Sequence, residues 1–182
     1  MGIRRALIAL AVALAAFACK AADDDSLAVL RVKAAFLYKF ASYVEWPESA
    51  FATAESPIVI GVAGSETIAR ELGQAVVGRK VGDRPMEVRQ LAGGVRGAGC
   101  CHILFIGAQS EPAIAAALLA RSVGQPVLSV TDAGRIHPAG SVINFVETDD
   151  RVRFDISRAA AHRKGLQLRS QLLAVARQVE VQ

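Results

Sequence analysis

Apolar positions fall into alternating helical and strand rhythms along most of this chain. Between Leu27 and Trp46, residues Leu27, Leu30, Ala34, Leu37, Ala41 and Val44 recur at helical spacing. Pro47 predicts the stop, because proline disfavours helix at the residue before it. Val29, Val32, Phe36, Phe40 and Tyr43 form a second stripe on the same helix. A helix apolar on two faces is buried on both or offers one to a partner. The β-branched run Pro57-Ile58-Val59-Ile60-Gly61-Val62 reads as a central strand, Glu66 to Val76 as a helix, and Met86 to Leu91 as a further strand. Ile103 to Ile106, bounded by Gly107, has the continuous apolar character of a strand covered on both faces. Pro112 opens a helix that Ala113 to Ala120 continue, and Val127 to Val130 form the next strand.

Beyond that point the rhythm changes. Ser141 to Val146 and Arg151 to Ile156 flank the polar loop Glu147-Thr148-Asp149-Asp150, a hairpin signal. Val152, Phe154 and Ile156 alternate with Arg151, Arg153 and Asp155, which predicts one wet face. After Gly165, Leu168, Leu172, Val175 and Val179 predict a closing helix. The sum is an α/β fold: a single domain over residues 27–179, with a mostly parallel sheet flanked by helices on both faces, then a C-terminal antiparallel hairpin and a final helix.

Composition changes this picture at one end. Of the 182 residues 53% are hydrophobic, and mean hydropathy is +0.35. The start accounts for much of that. Arg4 and Arg5 precede an unbroken apolar run from Ala6 to Ala18, and Ala16-Phe17-Ala18 has small residues where a leader peptidase cuts. A helix of that length rises only ~20 Å, short of the ~30 Å hydrocarbon core. Residues 1–18 are therefore read as a cleaved signal peptide and the mature protein as periplasmic. Cys19 keeps a lipoprotein alternative open, although Ala16 stands where lipidation sites favour a larger aliphatic residue. Formal net charge is +4 over the whole chain and +2 once Arg4 and Arg5 are removed, which gives no electrostatic case for nucleic acid.

Candidate chemistry is sparse, and no cofactor is expected. Gly61-Val62-Ala63-Gly64-Ser65 joins a strand to a helix, where an anion can sit, but the phosphate-loop lysine is missing and Ser65 reads equally as a helix cap. Asp132 follows a strand end, a frequent position for α/β sites, or forms a turn before Gly134. Gly64, Ser65 and Asp132 are the candidates for a small-molecule cleft. The histidines, His102, His137 and His162, stand singly, without zinc-ligand spacing. Cys100-Cys101 is the unusual pair. In an exported protein it has three open fates: a strained vicinal disulfide, one buried and one exposed thiol, or a bond between chains. Both residues are redox candidates.

The segment Val32-Lys33-Ala34-Ala35-Phe36-Leu37-Tyr38-Lys39-Phe40 running into Val44-Glu45-Trp46-Pro47 resembles the opening signature of the YfiR family of periplasmic proteins. The resemblance continues through Pro57 to Gly64, Gly78-Arg79, Cys101 to Ile106, Val127 to Asp132, Gly140 to Phe145, Val152 to Ile156 and Gly165 to Ala176. It implies a repressor that binds the periplasmic domain of an inner-membrane diguanylate cyclase or a related sensor kinase and lowers cyclic-di-GMP. It also implies release by an outer-membrane, peptidoglycan-associated lipoprotein, a homodimer, redox-sensitive cysteines and no catalysis. This chain departs in its cysteines: once the leader is gone, Cys100 and Cys101 alone are certain, which excludes two intrachain disulfides.

A repressor of this kind needs a surface with different affinity for two receptor states, not a catalytic group. The expected surface is the hairpin, with Glu147, Asp150 and Arg151, together with Arg169 on the last helix and Leu166 as a hydrophobic anchor. The rival readings are a periplasmic small-molecule sensor using the Gly64–Asp132 cleft and a hydrolase or thiol enzyme.

Overall fold

Leu37 and Ala41 of the first helical stripe and Phe40 of the second turn into the interior, and all three are buried. In the computed structural model, which describes residues 26–91, 101–149 and 151–180, Leu37 and Phe40 belong to helix α1, spanning 26–40, and Ala41 follows in its closing turn. The helix stops short of the predicted Trp46. Ser42 and Tyr43 donate to Lys39 and Phe40 carbonyls in a closing turn, and Val44–Glu45 becomes strand β1. Its pairing with β9 (Gln167–Leu168) offers these residues a ladder that a helix running into Pro47 cannot.

The main sheet contains β2 (Ile58–Ala63), β3 (Lys80–Val81), β4 (Arg84–Gln90), β5 (Ile103–Ile106), β6 (Leu128–Thr131), β7 (Ile143–Thr148), β8 (Arg151–Ser157) and β10 (Gln178–Glu180). Its spatial order is β10-β8-β7-β6-β5-β2-β4-β3. The central five, β4-β2-β5-β6-β7, are parallel throughout, while β3–β4 and β7–β8 are antiparallel. Helix α2 (Glu66–Ala75) connects β2 to the β3–β4 pair, and α3 (Pro112–Arg121) connects β5 to β6. The chain therefore reverses direction across the sheet between β2 and β5, the position where α/β folds open a crevice at the strands' C-terminal ends.

Alternation divides the core between the sheet's two faces. Ile58, Ile60, Val62, Phe105, Val130 and Phe145 point to one face, where they meet Leu37 and Phe40 of α1 and Ile68 and Leu72 of α2. Val59, Ala63, Leu104 and Ile106 point to the other, against Leu118 and Leu119 of α3. The larger side is organised by aromatic rings: Phe40 meets Phe145 at 5.9 Å and Phe154 at 5.1 Å between centroids. Burying each such ring contributes roughly 1.5–3 kcal/mol.

The hairpin is tighter than its sequence predicts. Thr148 pairs with Arg151, so Glu147 and Thr148 lie on a strand and not in the loop. Asp149 takes φ 50°, a left-handed conformation that Asp tolerates. The predicted wet face of β8 also closes partway: Asp155 is buried, held by Arg177 through Nε at 2.9 Å and through Nη2. The closing helix is shorter than its stripe. Helix α4 (Arg158–Arg163) and β9 come first, then α5 (Ser170–Val175), then β10 alongside β8. Leu168 and Val179 thus sit on strands, and Leu172 is the stripe residue that α5 buries fully.

Candidate functional site

Lys33 projects from the buried face of α1, where its side chain is 4% exposed. Its Nζ donates to both carboxylate oxygens of Asp132, at 3.0 and 2.8 Å, and to Glu147 Oε1 at 2.7 Å. Asp132 stands one residue past β6 and Glu147 lies near the end of β7, so the ammonium ties α1 to two strand ends. Burial alone depresses a lysine pKa, but the two carboxylates more than offset it and hold Lys33 above the usual lysine value. Two positions read from sequence as separate sites, a ligand cleft and a partner hairpin, thereby share one cation.

Asp132 begins a loop held down by buried hydroxyls. Thr131 Oγ1 donates to Asn144 Oδ1 at 2.9 Å, Asn144 Nδ2 donates to the Gly134 carbonyl at 2.7 Å, and Ser129 Oγ donates to the Gly140 carbonyl at 2.9 Å. Satisfied polar networks of this kind fix a backbone path more sharply than apolar packing does.

Part of the second stripe of α1 stays open: Val32 is exposed and Phe36 and Tyr43 are half-buried, while Phe40 is buried. Phe36, Phe40 and Tyr43 form a groove with Val152 and Phe154 of β8 and Leu172 and Val175 of α5, enclosing about 400 Å³. Val32 and Val175 are 44% and 59% exposed beside it. Lys39 and Arg153 line the same groove, and Arg151, Arg153 and Arg177 line a neighbouring depression. The floor is apolar and its border cationic.

The structure places the remaining candidates as follows. Arg151 is exposed at the start of β8, and Arg169 pairs with Glu45 at 3.1 Å, both half-exposed. Leu166, expected as an exposed anchor, is buried at 4% in the core beside α4, where the turn at Gly165 directs it inward. Asp150 and Cys100 lie outside the described residues. Cys101 is 6% exposed and packs in the smaller core cluster, whereas a thiol nucleophile needs access. Ser65 caps α2 by accepting from Ile68 N. Gly64 and Ser65 do not line the cavity that Asp132 lines. Gly64 instead closes the crevice between β2 and β5: at φ +68° its backbone lies so near Ser110 that a Cβ there would fall 2.0 Å from Ser110 Oγ.

His102 and Trp46 organise the opposite end of the sheet. Val59 N–H donates to His102 Nδ1 at 3.1 Å, which leaves Nε2 to donate to the Ala50 carbonyl at 3.1 Å. The ring stacks on Phe51 at 4.5 Å and meets Trp46 edge-on at 6.2 Å. Burial lowers its pKa, with Arg84 and Arg89 adding to the effect. Lys33, the central residue of the cluster, was not singled out from sequence, although it lies three positions after Leu30 and four before Leu37, on the buried stripe. A charge at such a position signals a buried partner.

A parallel α/β domain with an open apolar groove is the form of a binding module. The chain belongs to the DUF4154 family, described as YfiR/HmsC-like, whose model matches residues 30–177. No curated protein matches it. Family membership makes it, in broad terms, a periplasmic regulator of diguanylate-cyclase signalling, and the family is regulatory rather than catalytic. Among the described residues no helix is long and apolar enough to cross a membrane.

Proposed function

We propose that this protein is a repressor that binds the periplasmic domain of an inner-membrane diguanylate cyclase, or a sensor kinase of similar layout, and holds it in an inactive state. The observation that carries this reading is the groove between α1, β8 and α5, with aromatic rings on its floor and Lys39 and Arg153 at its edge. A central apolar pocket with a charged border is the arrangement from which interface hot spots are built. Glu147 and Arg151 of the hairpin and Arg169 before α5 extend the surface. Lys33 fixes the hairpin end to α1, so the groove's walls are positioned before a partner arrives, which lowers the cost of association. In this reading residues 1–18 are removed on export, the mature chain is a homodimer, and an outer-membrane, peptidoglycan-associated lipoprotein relieves repression by sequestering it.

Deleting the gene and measuring cyclic-di-GMP tests the proposal. A rise, reversed by the intact chain and not by a Val175→Asp, Arg153→Glu double variant that is exported and folded, is the expected result. Unchanged cyclic-di-GMP in the presence of an intact partner cyclase overturns it.

A further inference from the structure

Helix α3 is apolar around most of its circumference. Its ten residues, PAIAAALLAR, include one charged side chain, Arg121 at the end, and Val123 just beyond is 62% exposed. A surface helix ordinarily turns a polar face outward. Here the outward side forms one wall of a cavity of about 720 Å³ whose other wall is the loop that starts at Asp132. Ala116, Leu119 and Val123 line it from α3, and Pro138 and Ala139 line it from the loop. The volume suits a small molecule, and the walls are those of a hydrocarbon site.

Two charged groups in the cavity define what fits. Asp132 is already neutralised by Lys33. Arg163, from α4, has no ion pair among the described residues and brings an uncompensated positive charge. Beside Arg163, the buried Lys164 ammonium donates to Ser122 and to no carboxylate among the described residues, and burial together with Arg163 holds its pKa down to about 8. Among the described residues, this corner is short of unpaired negative charge.

We propose that this cavity binds an apolar monocarboxylate, an aliphatic or aromatic acid whose carboxylate meets the Arg163 guanidinium and whose hydrocarbon lies along α3. Guanidinium is the side chain best matched to a carboxylate, because it donates two parallel hydrogen bonds. The cavity shares no lining residue with the groove proposed for the partner, so either assignment can fail without the other.

The test is calorimetric titration and thermal melting of the mature chain with octanoate, with octylamine as the opposite-charge control. Octanoate is expected to bind with a stoichiometry of one and to raise Tm with concentration, while octylamine does not. Arg163→Gln is expected to weaken octanoate about tenfold. Ala116→Trp, at an exposed helical position, fills the cavity and is expected to abolish binding. Equal responses to octanoate and octylamine, no binding of octanoate, or unchanged affinity in Arg163→Gln each overturn the proposal, whether or not the tryptophan variant folds.

Discussion

Lys33 of α1 and Glu147 of β7 meet at 2.7 Å although 114 positions separate them in sequence. The contact joins the segment with the strongest family resemblance to the hairpin proposed to face a partner. It is asymmetric: Lys33 is buried, whereas the Glu147 side chain is 57% exposed. Asp132, 14% exposed, therefore carries most of the compensation for the buried charge.

Replacing Lys33 by Met is expected to destabilise the fold by about 2–3 kcal/mol, below the range for a fully buried pair because Glu147 remains in water. Glu147→Gln is expected to cost less than about 1 kcal/mol. Urea unfolding of the two variants checks the ranking, and equal losses would show that Asp132 is not the dominant partner. Because folding raises the Lys33 pKa, its contribution is complete below the unfolded value of 10.5 and is lost as pH rises through the folded one.

His102 predicts the opposite dependence at acid pH. Its Nδ1 faces the Val59 N–H, so the neutral ring fits and the imidazolium does not. With a folded pKa below 6.5, its contribution is complete above 6.5 and declines as pH falls through the folded value. Unfolding midpoints measured from pH 7.5 to 5 are expected to fall less steeply in His102→Gln than in the unchanged chain. Parallel slopes would assign the acid sensitivity elsewhere.

Lys164 gives a third window. Its folded pKa of about 8 lies below the 10.5 of the unfolded chain, so the unfolded state binds more protons between these values and stability rises with pH there. The difference amounts to roughly 3 kcal/mol at most. Lys164→Met is expected to remove this rise and to be neutral or stabilising at pH 7, because a buried cation without a carboxylate is replaced by an apolar group. Comparing both chains at pH 7.5 and 10 decides it, and a rise of equal size in the variant counts against the assignment.

Two glycines predict opposite responses to alanine. Gly64→Ala places a Cβ 2.0 Å from Ser110 Oγ at φ +68° and is expected to cost at least about 2 kcal/mol. Gly73→Ala, within α2 and with open space around it, is expected to stabilise by up to about 1 kcal/mol. Thermal melts of the two variants separate these effects, and a neutral Gly64→Ala would mean that the crevice between β2 and β5 relaxes freely.

The parallel core was legible because its strands are short, β-branched and buried on both sides, a pattern that neighbouring structure does not override. Ile58 to Ala63 and Ile103 to Ile106 both fulfil it. The C-terminal third was less legible. Leu168, Leu172, Val175 and Val179 have helical spacing, yet β1 captures Leu168 and β8 captures Val179, and sequence spacing carries no information about such distant strands. Glu147, Arg151 and Asp132 were visible as candidates because polar residues at turns and strand ends stand out. The cation that Asp132 and Glu147 share was not, since one lysine in an amphipathic helix ordinarily reads as solvated. Leu166 misled for the converse reason: a leucine after a glycine turn looks exposed until the turn's direction is known.

Strand β10 runs along the outer margin of β8, with Gln178, Val179 and Glu180 opposite Asp155, Ile156 and Ser157. Those three residues act as a sacrificial selvage. They occupy backbone groups that would otherwise invite strand addition from a neighbouring molecule, and the Glu180 carboxylate adds charge at the rim. A chain shortened to end at Val175 would leave β8 bare to edge-to-edge polymerisation and would also strip the buried Asp155 of Arg177, so self-association and loss of the fold would come together.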